Sequence, residues 1–143
     1  MARGLAVGLV VALISTFFAE LNVYNYFVLF SVIILTAILF SLGGFINAVY
    51  ANSFDDISII PTFVLIPLTY LGGIFYSIDM LPEFWQNVSL VNPILYMINA
   101  MRYGMLGISD IDLVTAFSII VLFVVVLFSY CLHLLNSGKG IRN

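Results

Sequence analysis

Three stretches of this chain, residues 26–50, 57–78 and 113–135, each run past twenty residues without an Asp, Glu, Lys or Arg. A helix rises about 1.5 Å per residue, so about 20 apolar residues cross a hydrocarbon core of about 30 Å. A fourth stretch, 4–23, joins them if Glu20 lies at the membrane interface. Composition agrees: 64% of the 143 residues are hydrophobic and 8% are charged, whereas a soluble domain carries roughly 25% charged residues. The sequence therefore predicts an all-α integral membrane protein with four spans. The opening "MARGLAVGLVVALISTFFAE" has the charge and apolar run of a signal peptide. Its bulky exit, Phe17-Phe18-Ala19-Glu20, lacks an Ala-x-Ala-like cleavage site, so it is read as a retained span.

Charge placement orients the spans. Arg3, Lys139 and Arg142 lie at the chain ends, and only Arg102 lies between spans. The positive-inside rule places both termini, and the 51–56 loop, in the cytoplasm. That loop holds Asn52, Ser53, Phe54, Asp55 and Asp56. Adjacent carboxylates point apart on a helix, so Asp55 and Asp56 make a poor metal or acid–base pair. Asp56 is expected to cap the following helix. No basic run of the kind that binds nucleic acid is present.

Small residues and prolines punctuate the spans. Gly43, Gly44, Gly72 and Gly73 are expected to permit close helix packing. Pro61 and Pro67 each remove a backbone donor and bend the third span, as a fixed kink or as a hinge. Cys131, the sole cysteine, excludes an internal disulfide and is read as a small buried residue. His133 falls at the end of the last span, with no second His, Asp or Glu in that span to continue a proton relay. No phosphate-cradling loop is present: the tail "NSGKGIRN" lacks both the spacing and the preceding strand.

The 81–107 stretch is too long for a turn and too apolar for a solvated loop. It parses into two short helices. Pro82 suits the first position of one, followed by Glu83; Asn92 caps the second, with Pro93 in its first turn and Gly104 or Gly107 at its end. Ile94, Met97, Ile98, Met101 and Met105 fall on one face of the second helix. Trp85 and Tyr96 have the amphipathic character favoured at the headgroup level. Asp79, Glu83, Asp110 and Asp112 make this side acidic through solvated carboxylates. Two placements fit: an amphipathic hairpin on the membrane surface, or a re-entrant one with Arg102 facing a wet site or a partner group.

In order along the chain stand Gly72-Gly73, Phe75-Tyr76, Leu81-Pro82, Phe84-Trp85, Asn92-Pro93, Tyr96 and Arg102. This series resembles the C-terminal signature of ABC-2-type transporter permeases, within a branch of bacterial inner-membrane exporters. The resemblance implies a permease of six spans, of which this chain supplies the last four, as a truncated or split gene or from an internal start. It implies two permease copies paired with two cytoplasmic ATP-binding subunits, so that ATP and Mg sit on the partner and this chain binds no cofactor. It implies that the 51–56 loop meets the ATP-binding subunit and that a re-entrant hairpin before the last span stands at the outer gate. Leu81, Pro82, Trp85, Asn92, Pro93, Tyr96 and Arg102 would belong to that gate. The expected cargo is amphipathic. The competing expectation is a non-transporting scaffold or an inactive remnant of a permease gene.

Overall fold

The computed structural model describes residues 2–15, 17, 23–51 and 53–137, excluding the side chains of Ala2, Arg3 and Phe54. The described residues form helices and turns without strands: α1 (Ala2–Ser15), α2 (Tyr26–Tyr50), α3 (Phe54–Ile60), a π-turn (Pro61–Leu65), α4 (Ile66–Leu71), a 3-10 turn (Ile78–Met80), α5 (Glu83–Leu90), α6 (Pro93–Leu106) and α7 (Leu113–Asn136). Glu20, Asn52, Lys139 and Arg142, with the side chain of Arg3, lie outside the described set, as does most of the second half of the expected first span.

Two described helices are long and apolar enough to cross a membrane, α2 and α7. At 25 and 24 residues each reaches about 36 Å, past the hydrocarbon thickness. Their outward faces are apolar: Phe27 is 82% exposed and Val114 74%. Such faces suit lipid as solvent. α1 has 14 residues, about 21 Å, and falls short.

Local chemistry sets the ends. Asn25 caps α2 by accepting from the Val28 N–H, and Asp112 caps α7 by accepting from Thr115. α3 starts three residues before the expected third span. Ser53, not Asp56, is its cap; Asp56 sits in its first turn and completes a capping box, its carboxylate accepting from the Ser53 N–H at 3.1 Å. The third span is also shorter than expected at its far end. Helix stops at Leu71, because Gly72 and Gly73 turn the chain, with Gly73 at a φ of 76° that other residues avoid.

The core is a three-helix wedge of α2, α6 and α7, each packed on the other two. Val32 and Leu39 of α2, Leu95, Tyr96, Met97 and Ala100 of α6, and Ala116 and Ile120 of α7 form its centre. The 54–71 segment lies against this wedge near its two ends, and none of its side chains from Pro61 to Leu71 is buried.

Candidate functional site

Several polar side chains of this apolar protein converge where the 54–71 segment ends against α6. Asn92 uses both halves of its amide. Its oxygen caps α6 by accepting from the Ile94 N–H at 3.0 Å, and its nitrogen donates to the Leu68 carbonyl at 2.6 Å. That carbonyl belongs to the last turn of α4, where the helix offers no donor. One turn further along α6, Ile98 and Ile94 crowd Gly72: a Cβ there would sit 2.8 Å from the Ile98 Cδ1. Two turns beyond Ile94, Arg102 donates to the Gly73 carbonyl and to the Asp110 carboxylate, each at 2.8 Å.

Asp110 is itself positioned by α6. Its N–H donates to the Asn99 Oδ1 at 2.9 Å, while the Asn99 amide nitrogen donates to the Leu95 carbonyl. Asn99 is 1% exposed, and its partners make that burial tolerable. The result is a clasp. One helix, α6, holds the end of α4 through Asn92, the glycine turn through Arg102, and the loop before α7 through Asn99 and Arg102.

The far end of α6 is locked by backbone. The Asn25 and Tyr24 N–H groups donate to the carbonyls of Gly104 and Met105, which lie in the last turn of α6 and lack partners within it. Gly104 makes this approach possible: a Cβ would lie 3.1 Å from the Leu29 Cα. Gly107, not Gly104, ends the helix, at a φ of 73°. Tyr103 stacks edge-on to Tyr24 at 5.7 Å.

The structure brings Asn92, Pro93, Tyr96, Arg102, Gly72 and Gly73 together and leaves other expected site residues apart. Tyr96 is buried among the core side chains, and its hydroxyl donates to the Leu90 carbonyl at 2.6 Å. It thereby closes the end of α5. Leu81 and Pro82 lie at the start of α5, where their carbonyls accept from the Gln86 side chain and from the Trp85 and Gln86 N–H groups. Pro82 is the cap, one place before the first helical position expected for it. Trp85 is half exposed, edge-on to Phe84. Gly43 and Gly44 are not packing sites among the described residues, where an added Cβ would meet nothing within 4 Å. Among the residues of the 51–56 loop, Ser53 and Asp56 form the capping box and Asp55 is exposed; Asn52 and the Phe54 side chain lie outside the described residues.

The Ile–Met stripe of α6 lines a cavity. Ile94, Met97, Ile98, Met101 and Met105 form one wall, Val32 to Ser41 of α2 another, and Gly4 and Leu5 of α1 touch it. Its volume is about 850 Å³, and its lining is apolar apart from Thr36, Ser41 and Arg102. Among the described residues no three His, Cys, Asp or Glu side chains converge on a metal position.

Asn99, Gly104, Asp110 and Asn47 were not among the expected site residues. Asn99 carried a usable signal, as an amide among Met97, Ile98, Ala100 and Met101 must find partners if it is buried. Asp110 carried none, because its pairing with Arg102 depends on how the loop returns.

The model of the ABC-2 type transporter family matches residues 1–106, from α1 to the end of α6. This chain belongs to the ABC-2 type transporter family. All 143 residues align, 52% identical, with the inner membrane transport permease YadH of Escherichia coli K12, covering 56% of that protein. Nodulation protein J of Rhizobium leguminosarum bv. viciae is 30% identical over 76 residues, 53% of this chain and 29% of that relative. The chain thus spans little more than half the length of its YadH relatives. No solved structure matches it. Within this ABC-2 chain the family match takes in both the glycine turn and the clasp helix.

Proposed function

We propose that this ABC-2 family chain is a permease subunit of an ATP-driven exporter in a bacterial cytoplasmic membrane. In this reading both termini and the 51–56 loop are cytoplasmic, as the terminal Arg3, Lys139 and Arg142 favour. Four spans and a re-entrant 81–107 hairpin form half of a translocation path, completed by a second copy. ATP and Mg are held by a separate cytoplasmic subunit that engages the 51–56 loop. This chain binds neither.

The observation that carries the reading is the seat of α6. Its 14 residues reach about 21 Å, too short to cross, yet Leu95 and Ala100 are fully buried between α2 and α7. Its last turn meets the first turn of α2 through Gly104 and Leu29, while Ile94 lines the same cavity as Phe40 and Ser41. Those α2 residues lie more than two turns inward from Leu29. An arm that runs inward beside α2 and is covered by protein satisfies the requirement for irregular backbone at membrane depth. The apolar cavity, with Arg102 in its lining, suits an amphipathic cargo.

The test is biochemical. Purified chain, co-expressed with the ATP-binding subunit encoded beside it, should co-purify with that subunit and change its ATP turnover by at least twofold. Absence of both binding and any change in turnover would sink the proposal.

A further inference from the structure

The middle of the 54–71 segment departs from α geometry for an identifiable reason. Pro67 has no N–H, and in an α-helix its ring collides with the carbonyl four residues back, that of Phe63. Here the chain widens instead. Pro61–Leu65 is a π-turn in which the Ile66 N–H reaches back five residues to the Pro61 carbonyl. A π-turn holds one residue more than the α-turn it replaces. Two further observations bear on what that extra residue does. The segment is pinned at one end by the Asn47 side chain, whose amide donates to the Ile57 carbonyl at 2.9 Å, the acceptor that Pro61 cannot serve. At the other end it is held by Asn92 on Leu68 and Arg102 on Gly73. Between these pins no side chain from Pro61 to Leu71 is buried, so among the described residues α4 is held by its contacts with α5 and α6 at its far end and not by a buried core along its length.

We infer that the π-turn is a one-residue register switch for the end of the 54–71 segment. When residues 61–65 take α geometry, the extra residue adds about 100° of rotation and about 1.5 Å of rise to everything beyond it. The Leu68 and Gly73 carbonyls then turn away from Asn92 and Arg102, and the clasp on α6 is released. In the π register the carbonyls face their donors and the clasp is shut. The Asn47 pin stays in place in both registers, because it precedes the turn. The switch gives the 54–71 segment two discrete arrangements, of which the Pro67 clash makes the π register dominant in the native chain. Its place between the 51–56 loop and the hairpin rests on the permease reading above; the switch itself does not.

Spin labels on Ile66→Cys and Val114→Cys in a Cys131→Ser background report α4 against α7, both labelled positions being exposed. Distances are measured by double electron–electron resonance on the full chain in lipid nanodiscs. The unmodified 54–71 segment should give one dominant distance. Pro67→Ala restores the N–H, removes the clash and should add a second population displaced by several ångström. Deleting Thr62 in the Pro67→Ala background removes the extra residue and should return the first distance. Pro67→Ser carries the same test if the alanine variant does not fold, with Trp85 fluorescence as the check on folding. A distribution unchanged by either substitution, or a displaced population that persists after the deletion, overturns the inference. Neither cargo nor ATP enters the measurement, so its failure leaves the permease reading standing.

Discussion

At the scale of single residues, Arg102 shows how a charge survives in so apolar a chain. Its side chain is 23% exposed and spends its donors on one carboxylate and one helix-end carbonyl. Arg102→Leu leaves both acceptors without their donor, and a part-buried pair of this kind is worth about 1–3 kcal/mol. The unfolding midpoint in detergent should fall accordingly. Arg102→Lys keeps the charge but, lacking the planar fork, serves only one acceptor and should lie between leucine and wild type. Gly104→Ala tests a different contact. Its Cβ would press on the backbone of Leu29, which cannot yield as a side-chain tip does, and overpacking of this kind costs about 1–3 kcal/mol. The same midpoint reads it out, and an unchanged midpoint would mean that α2 and α6 separate easily at that end.

At the scale of elements, the 54–71 segment is a helix whose broken hydrogen bonds are completed by its neighbours. Pro61 frees the Ile57 carbonyl and Asn47 captures it. Asn47→Ala should therefore destabilise the protein by about 0.6–1 kcal/mol. In a Pro61→Ala background that loss should vanish, because the restored N–H serves the same carbonyl. A double-mutant cycle measured by thermal unfolding gives the coupling, and a cycle that sums without coupling would refute the assignment. The two prolines were legible in the sequence, and so were the hairpin's two arms, since Asn92-Pro93 and the closing glycine fix α6 by local rules. The early end of the third span was not, because Ile74 to Ile78 is as apolar as what precedes it. Only the positive φ of Gly73 stops the helix there. The face of α6 was half legible: helical spacing picked out the Ile–Met stripe, but three-helix packing buries Leu95 and Ala100, while Met101 on the stripe is 36% exposed beside the cavity.

At the scale of the whole molecule, the wedge of α2, α6 and α7 makes the hairpin part of the bundle, and the clasp ties it to the 54–71 segment. Periodicity alone left surface and re-entrant placements open, because depth depends on which neighbours cover α6. The seat between two long apolar helices favours re-entry. The most direct test is a cysteine scan from Asn92 to Gly107 in a Cys131→Ser background, using a membrane-impermeant thiol reagent added to intact cells. Re-entry predicts a gradient: labelling at Leu106 and Gly107, falling by at least tenfold towards Asn92 and Leu95. Uniform labelling along the arm, or labelling of Asn92 and Leu95 as fast as of Gly107, would put the hairpin on the surface and contradict the proposed gate.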